Sequence, residues 1–159
     1  MVLSGIFYIF AKTFQAMVKI YVAAYKKFND YKTLKKVFDY FLSKQDKENV
    51  LFYATTGEHG DNLCMKYIRE NGYNYVDWLP NKWNKNRAKE KEPFIRDSDH
   101  VILITDGDSK GIGVAFNYAA KYIQGKIVQV RMQCEDLLVF TKERFENNKE
   151  PITILLNQL

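Results

Sequence analysis

Histidine and cysteine are almost missing from this chain, with two of each among 159 residues. His59, His100, Cys64 and Cys134 cannot be assembled into a zinc-ligand spacing, and two cysteines make no disulfide framework. Both cysteines fall on apolar faces of expected helices, so a reducing cytoplasm is the natural setting, and no metal or cofactor is called for. Long apolar runs are missing too. The first sixteen residues, MVLSGIFYIFAKTFQA, are apolar but fall short of the roughly 20 needed to span a bilayer. They begin without Lys or Arg and end without a small-residue cleavage site, which makes a poor secretory signal. Two readings of them stay open. Leu3, Ile6, Phe7, Phe10, Phe14 and Met17 recur at helical spacing, which suits a helix packed on the domain or on a second copy of the chain, giving a homo-oligomer. Alternatively, Met17-Val18-Lys19 is the natural start and residues 1–16 are an upstream extension.

The third absence is a dominant charge of one sign. A net charge of +5 with pI near 9.0 admits a phosphate-bearing partner without requiring one. Much of the excess sits in Lys82, Lys85, Arg87, Lys89 and Lys91, diluted by Glu90 and Glu92. That pattern describes a solvated face as readily as one that attracts nucleotides.

What is present is a globular composition, 47% hydrophobic and 27% charged, which argues against disorder. Apolar runs and helical periods alternate along it. Val18 to Ala24 reads as a strand, and Tyr31 to Leu42 as a helix with Asp30 as N-cap. Val50 to Ala54 is a second strand, Asp61 to Asn71 a second helix closed by Gly72, and Tyr73 to Leu79 a third strand. Residues 80–92 have no usable period, a length of loop that is usually functional. Pro93 starts a helical turn, Val101 to Thr105 is a strand, Ile112 to Ile123 a helix, and Ile127 to Arg131 a strand. A last helix near Glu135 to Phe145 and the run PITILL complete the pattern. No repeat or domain linker interrupts residues 17–159, so they read as a single α/β domain. The alternation predicts a Rossmann-like, doubly wound, mostly parallel sheet with helices on both faces.

In such sheets ligands bind beyond the carboxyl ends of the strands. That rule selects three loops: Ala24 to Asp30, Thr55 to Asp61, and Asp106 to Gly111. The first offers Tyr25, Lys26 and Phe28. The second, TTGEHGD, offers Gly57, Glu58, His59, Gly60 and Asp61; its glycines allow close backbone approach, and Asp61 reads most simply as an N-cap. The third, DGDSKGIG, places Asp106, Gly107, Ser109, Lys110, Gly111 and Gly113 at a helix start, where free N–H groups and the helix dipole suit an anion. Trp83, in the long loop, is a candidate to stack on a base or close the pocket.

The order VKIYVAAYKKFNDY, GEHGDNLCMKYIRENG, Trp83, SDHVILITDGDSKGIG and GKIVQVR resembles the YspA-like branch of the SLOG superfamily over residues 18–131. Its most specific piece is Asp106-Gly107-Asp108-Ser109-Lys110-Gly111, similar to that branch's D-G-x-S-x-G. The resemblance implies a Rossmann-like module that senses or processes nucleotides; relatives include the Lonely Guy phosphoribohydrolases and the DNA-processing protein A domain. Three positions depart from the pattern. Gly-Ser-Arg after the first strand is Ala24-Tyr25-Lys26, which keeps a cation but loses the bidentate fork. The glycine loop is one residue shorter, and Ile112 replaces a Thr. For the expected Arg-Asn pair the only candidates are Arg87 and Lys91.

Three functions follow as expectations. The first is binding of a nucleotide-derived small molecule through the glycine-rich loops. The second is an enzyme acting on an N-glycosidic bond, as deoxyribosyltransferases and phosphoribohydrolases do. Such chemistry needs a carboxylate beside the sugar. Residues 111–126 contain no Asp or Glu, so Glu58, Asp61, Asp106 or Asp108 would have to supply it. Nucleic-acid binding is the least supported, because it would need a basic surface with exposed aromatics.

Overall fold

Alternating side chains along each strand decide which helix covers which face of the sheet. In β1 (Val18–Ala24), Ile20, Val22 and Ala24 point to one side and Tyr21 and Ala23 to the other. β2 (Val50–Ala54) divides in the same way, with Phe52 on the first side and Leu51 and Tyr53 on the second. A strand apolar on both faces needs a layer of helices on each. The computed structural model describes residues 17–78 and 87–159 and supplies both layers. The helix considered for residues 1–16, and Trp83, lie outside the described residues.

On the first face lie α1 (Tyr31–Leu42) and α2 (His59–Glu70). Asp30 caps α1 as expected, its Oδ1 accepting from Thr33 N at 3.0 Å and its Oδ2 from Thr33 Oγ1 at 2.7 Å, a contribution of about 1 kcal/mol. Leu34, Val37, Phe38 and Leu42 then form the buried stripe of α1, facing Tyr67 and Ile68 of α2. β3 (Asn74–Asp77) follows α2 across Gly72, whose φ of +70° is the left-handed turn that favours glycine there. The second face carries two short helices, α3 (Arg87–Glu90) and α4 (Glu92–Arg96), which precede β4 (His100–Thr105). The long α5 (Lys110–Tyr122) then buries Ile112, Ala115 and Ala119, and β5 (Lys126–Arg131) follows.

The sheet order is β3-β2-β1-β4-β5 with every neighbour parallel, extended by two antiparallel strands, β6 (Asp136–Thr141) and β7 (Ile152–Leu155). The chain is therefore a Rossmann-like α/β fold with a mostly parallel sheet. Strand order reverses between β1 and β4, and the crevice above that point is where such sheets hold ligands.

The expected helix from Glu135 to Phe145 is corrected: the chain turns back at Met132–Cys134 and Glu135 (φ +52°), runs out as β6, and only then forms the short α6 (Lys142–Glu146). LLVF is a short apolar run that fits either period, and strand pairing decides it. Leu137 and Val139 reach the core between β5 and β7. Cys134 consequently sits exposed in a turn rather than on a helix face, whereas Cys64 is buried on α2 as expected. The hairpin is pinned where Arg131 faces Asp136, through Nε to Oδ1 at 2.8 Å and Nη2 to Oδ2 at 2.6 Å. Asp136 is buried while the Arg131 side chain is about one-third exposed, so Asp136→Ala is expected to cost about 1 kcal/mol, the loss of a two-point charge-assisted contact whose guanidinium water can still solvate. Urea unfolding measures it, and a loss below about 0.5 kcal/mol would show the pair to be a solvated surface contact.

Candidate functional site

All three selected loops emerge on the carboxyl edge of the sheet around the β1/β4 switch point, and two helices start there. The start of α2 is clamped to the end of β1. Gly60 N donates to Lys26 O at 3.2 Å, and Asp61 Oδ1 accepts from Ala24 N at 3.1 Å. The clamp requires glycine, because a Cβ on Gly60 would lie 2.1 Å from Tyr25 O. Asp61 is therefore not the N-cap that its position suggested. It is the third residue of α2 and points at the sheet, while Glu58 occupies the cap position without a capping side-chain bond. Asn62 reaches back instead, its Oδ1 accepting from Gly57 N at 3.0 Å, and Gly57 takes φ +111°.

The DGDSKG stretch divides its labour. Asp106 orders the turn, Oδ1 accepting from Asp108 N at 2.9 Å and Ser109 N at 3.0 Å. Gly107 stands at φ +94° against Gln133. Ser109 is the N-cap of α5, with Oγ accepting from Ile112 N at 3.4 Å and its carbonyl from Gly113 N at 3.1 Å. The N–H groups of Lys110 and Gly111 remain as first-turn donors without an intrahelical acceptor.

Between these helix starts lies a cleft of about 190 Å³. Six of the expected residues line it: Tyr25, Lys26, Glu58, Asp61, Ser109 and Gly111. Phe28 does not; it is fully buried under α1 and packs edge-on against Tyr25. Gly60, Gly107 and Asp106 serve the backbone as described. Gly57, His59, Lys110 and Gly113 are exposed at the loop and helix starts and do not line the cleft.

Tyr21 and Trp78 join the lining without having been singled out from the sequence, Thr55 and Ile112 enter from a selected loop and a departing motif position, and Lys91 had stood out only in the basic stretch and as a candidate for a missing Arg. Lys91 joins α3 to α4 and its Nζ donates to Gly111 O at 3.0 Å, which puts a half-buried cation of the cleft at the start of α5. Burial pulls its pKa down, opposed by Asp61. Trp78 ends β3 and stacks on Tyr21 and Phe94 at ring distances of 5.9 and 5.5 Å, making the aromatic wall. Its only signal was an aromatic at the carboxyl end of an expected strand.

Asp61 is the electrostatic centre. Burial lifts its pKa to about 6, against the Ala24 N–H and Lys91 that hold it down, with Glu58 adding to the rise. Lys26 and Glu58 face each other at 3.9 Å, both largely exposed, a contact of little energetic weight. Among the described residues no group of three or more His, Cys, Asp or Glu could hold a metal ion.

Two larger hollows lie elsewhere. One of about 410 Å³ runs between Asp30, Lys36, Cys134 and Leu156, and one of about 510 Å³ between Tyr40, Phe41, Lys126 and Ile152. Of these three hollows among the described residues, the smaller cleft is the one that combines the switch point, two helix starts and a half-buried acid and base. At the rim of the 410 Å³ hollow, the first turn of α1 is already capped by the acidic Asp30. No family model, curated protein or solved structure matches the chain. No helix among the described residues is long and apolar enough to cross a membrane.

Proposed function

We propose that the cleft binds a nucleotide-derived small ligand in a cytoplasmic setting, its anionic group against the first turn of α5 and Lys91, and its ring against Trp78 and Tyr25. The observation that carries this is the bond from Lys91 Nζ to Gly111 O, which sets a half-buried cation beside the first-turn N–H groups of α5. The resemblance to the YspA-like SLOG branch supports the same reading. Native mass spectrometry of protein purified from cells tests it: a co-purified nucleotide mass is expected, and its identity sets the titrant. Charge-assisted bonds are worth about 1.5–3 kcal/mol, so Lys91→Ala should weaken calorimetric affinity by about tenfold or more. Lys110→Ala, outside the lining, should change it by less than about twofold. Equal losses for the two would place the anion outside the cleft.

A second reading, cleavage or exchange of an N-glycosidic bond, draws on Asp61. Of the four carboxylates that could serve, only Glu58 and Asp61 line the cleft, and burial lifts the Asp61 pKa to about 6, within reach of acid–base work. Incubation with nucleoside monophosphates tests it. Release of free base that is lost in Asp61→Ala would establish an enzyme; no release with binding intact would leave a binding module.

A further inference from the structure

We propose that an anionic ligand entering this cleft brings a proton with it onto Asp61, so that Asp61 determines which ligand charges the cleft accepts and over what range of acidity; this rests on the ligand-binding reading above. The geometry separates the two oxygens of the carboxyl group. Oδ1 is committed to the Ala24 N–H at 3.1 Å. Oδ2 has no protein partner among the described residues, and Asp61 belongs to the cleft lining. Any proton therefore resides on Oδ2, where the neutral acid is a donor toward a ligand oxygen and the carboxylate repels it.

The groups around Asp61 leave it as the one that must respond. Tyr21 from β1 and Cys64 from α2 both feel its charge, and burial holds both neutral. Glu58 at the start of α2 faces Lys26 from the loop after β1 with both side chains largely exposed, so solvent screens an added charge there. Lys91 from the α3–α4 junction bonds Gly111 O, and α5 contributes Ser109 and its first turn. Tyr25 completes the surroundings. Two cations and two carboxylates thus balance in the cleft lining, and an added anion unbalances them. Asp61 and the first turn of α5 line the same cleft, and an anion within about 7 Å of a carboxyl raises its pKa by about one unit or more. Asp61, already lifted to about 6 by burial, would then hold its proton at neutral pH.

The test uses ligands of fixed charge, cyclic AMP and ADP-ribose, because a phosphate monoester brings its own ionisation near pH 6. Titration calorimetry of the full chain in two buffers of different ionisation enthalpy reads proton uptake directly. At pH 6.5–7 about half a proton or more per ligand is expected, and affinity should fall about tenfold or more between pH 5.5 and pH 8. Asp61→Asn retains an Oδ1 acceptor for Ala24 and should bind with a flat pH profile and no uptake. The wild-type uptake is informative even should that variant fold poorly. Binding by the wild type with no uptake and no pH dependence would overturn the proton coupling and leave the ligand reading standing. No binding of AMP, cyclic AMP or ADP-ribose at any pH from 5 to 8 would remove both.

Discussion

Alanine at Gly60 is expected to destabilise the protein by about 3 kcal/mol, the upper end of the usual cost of forcing atoms into a packed site. The added Cβ would lie 2.1 Å from the Tyr25 carbonyl, 3.1 Å from Ala24 Cβ and 3.2 Å from Phe28 Cβ. The first of these is backbone and cannot swing aside. Gly60 has an ordinary helical φ, so the penalty is one of space and not of conformation. Relief would require α2 to lift from β1, breaking the Gly60–Lys26 and Asp61–Ala24 bonds that shape the cleft. Thermal unfolding should fall by about 6–12 °C, and ligand affinity should fall with it. The same substitution at Gly113, where a Cβ meets nothing within 4 Å, should be neutral or slightly stabilising because it sits inside α5. A Gly60→Ala protein as stable as the wild type would show that α2 is not held this close to β1.

Asn at Asp61 should act in the opposite direction, with an effect that is absent below about pH 4, grows between about pH 4 and 6 and is fully present above the native pKa. The native carboxyl has a pKa of about 6 against 3.8 for the ordinary group. Below about pH 4 both folded and unfolded chains hold the proton, and stability is untouched by ionisation. Between about pH 4 and 6 the unfolded chain releases its proton while the native state keeps it, so stability falls as pH rises. The loss levels off above the native pKa at up to about 3 kcal/mol, the free energy of a shift of that size. Asn carries no charge to bury and can accept the same Ala24 N–H. Denaturant unfolding should therefore find Asp61→Asn more stable than wild type by about 1–3 kcal/mol at pH 7.5, and equal to it near pH 3.5. A difference independent of pH would mean that Asp61 is solvated in the folded state.

The fold was legible because each strand's alternation and each helix's stripe point to the same architecture. Val18–Ala24 and Tyr31–Leu42 coincide with the expected ranges, and Asp30 caps where its position said it should. Glu135 to Phe145 was not legible, because a four-residue apolar run carries no period of its own and the Arg131–Asp136 pairing lies outside any local signal. The site was legible as three loops but not residue by residue. The N-cap reading of Asp61 and the site reading of Phe28 failed for one reason: the clamp between α2 and β1 is a long-range contact, and it turns the acid inward to the sheet and a loop aromatic into core, although Asp61 still lines the cleft as expected. Lys91 displaces Lys110 because chain position places a residue on a helix, whereas only tertiary packing delivers a side chain from 20 residues upstream to that helix's first turn.

The most direct test of an anion held at the start of α5 is a titration of isotopically labelled protein with AMP, followed by amide NMR shifts. The largest movements are expected at Lys110, Gly111 and the Ala24–Lys26 backbone, with Asp61 beside them. Saturable shifts confined to the hollow around Cys134, Glu135 and Leu156, or no saturable shift at all, would contradict the assignment of this cleft as the ligand site.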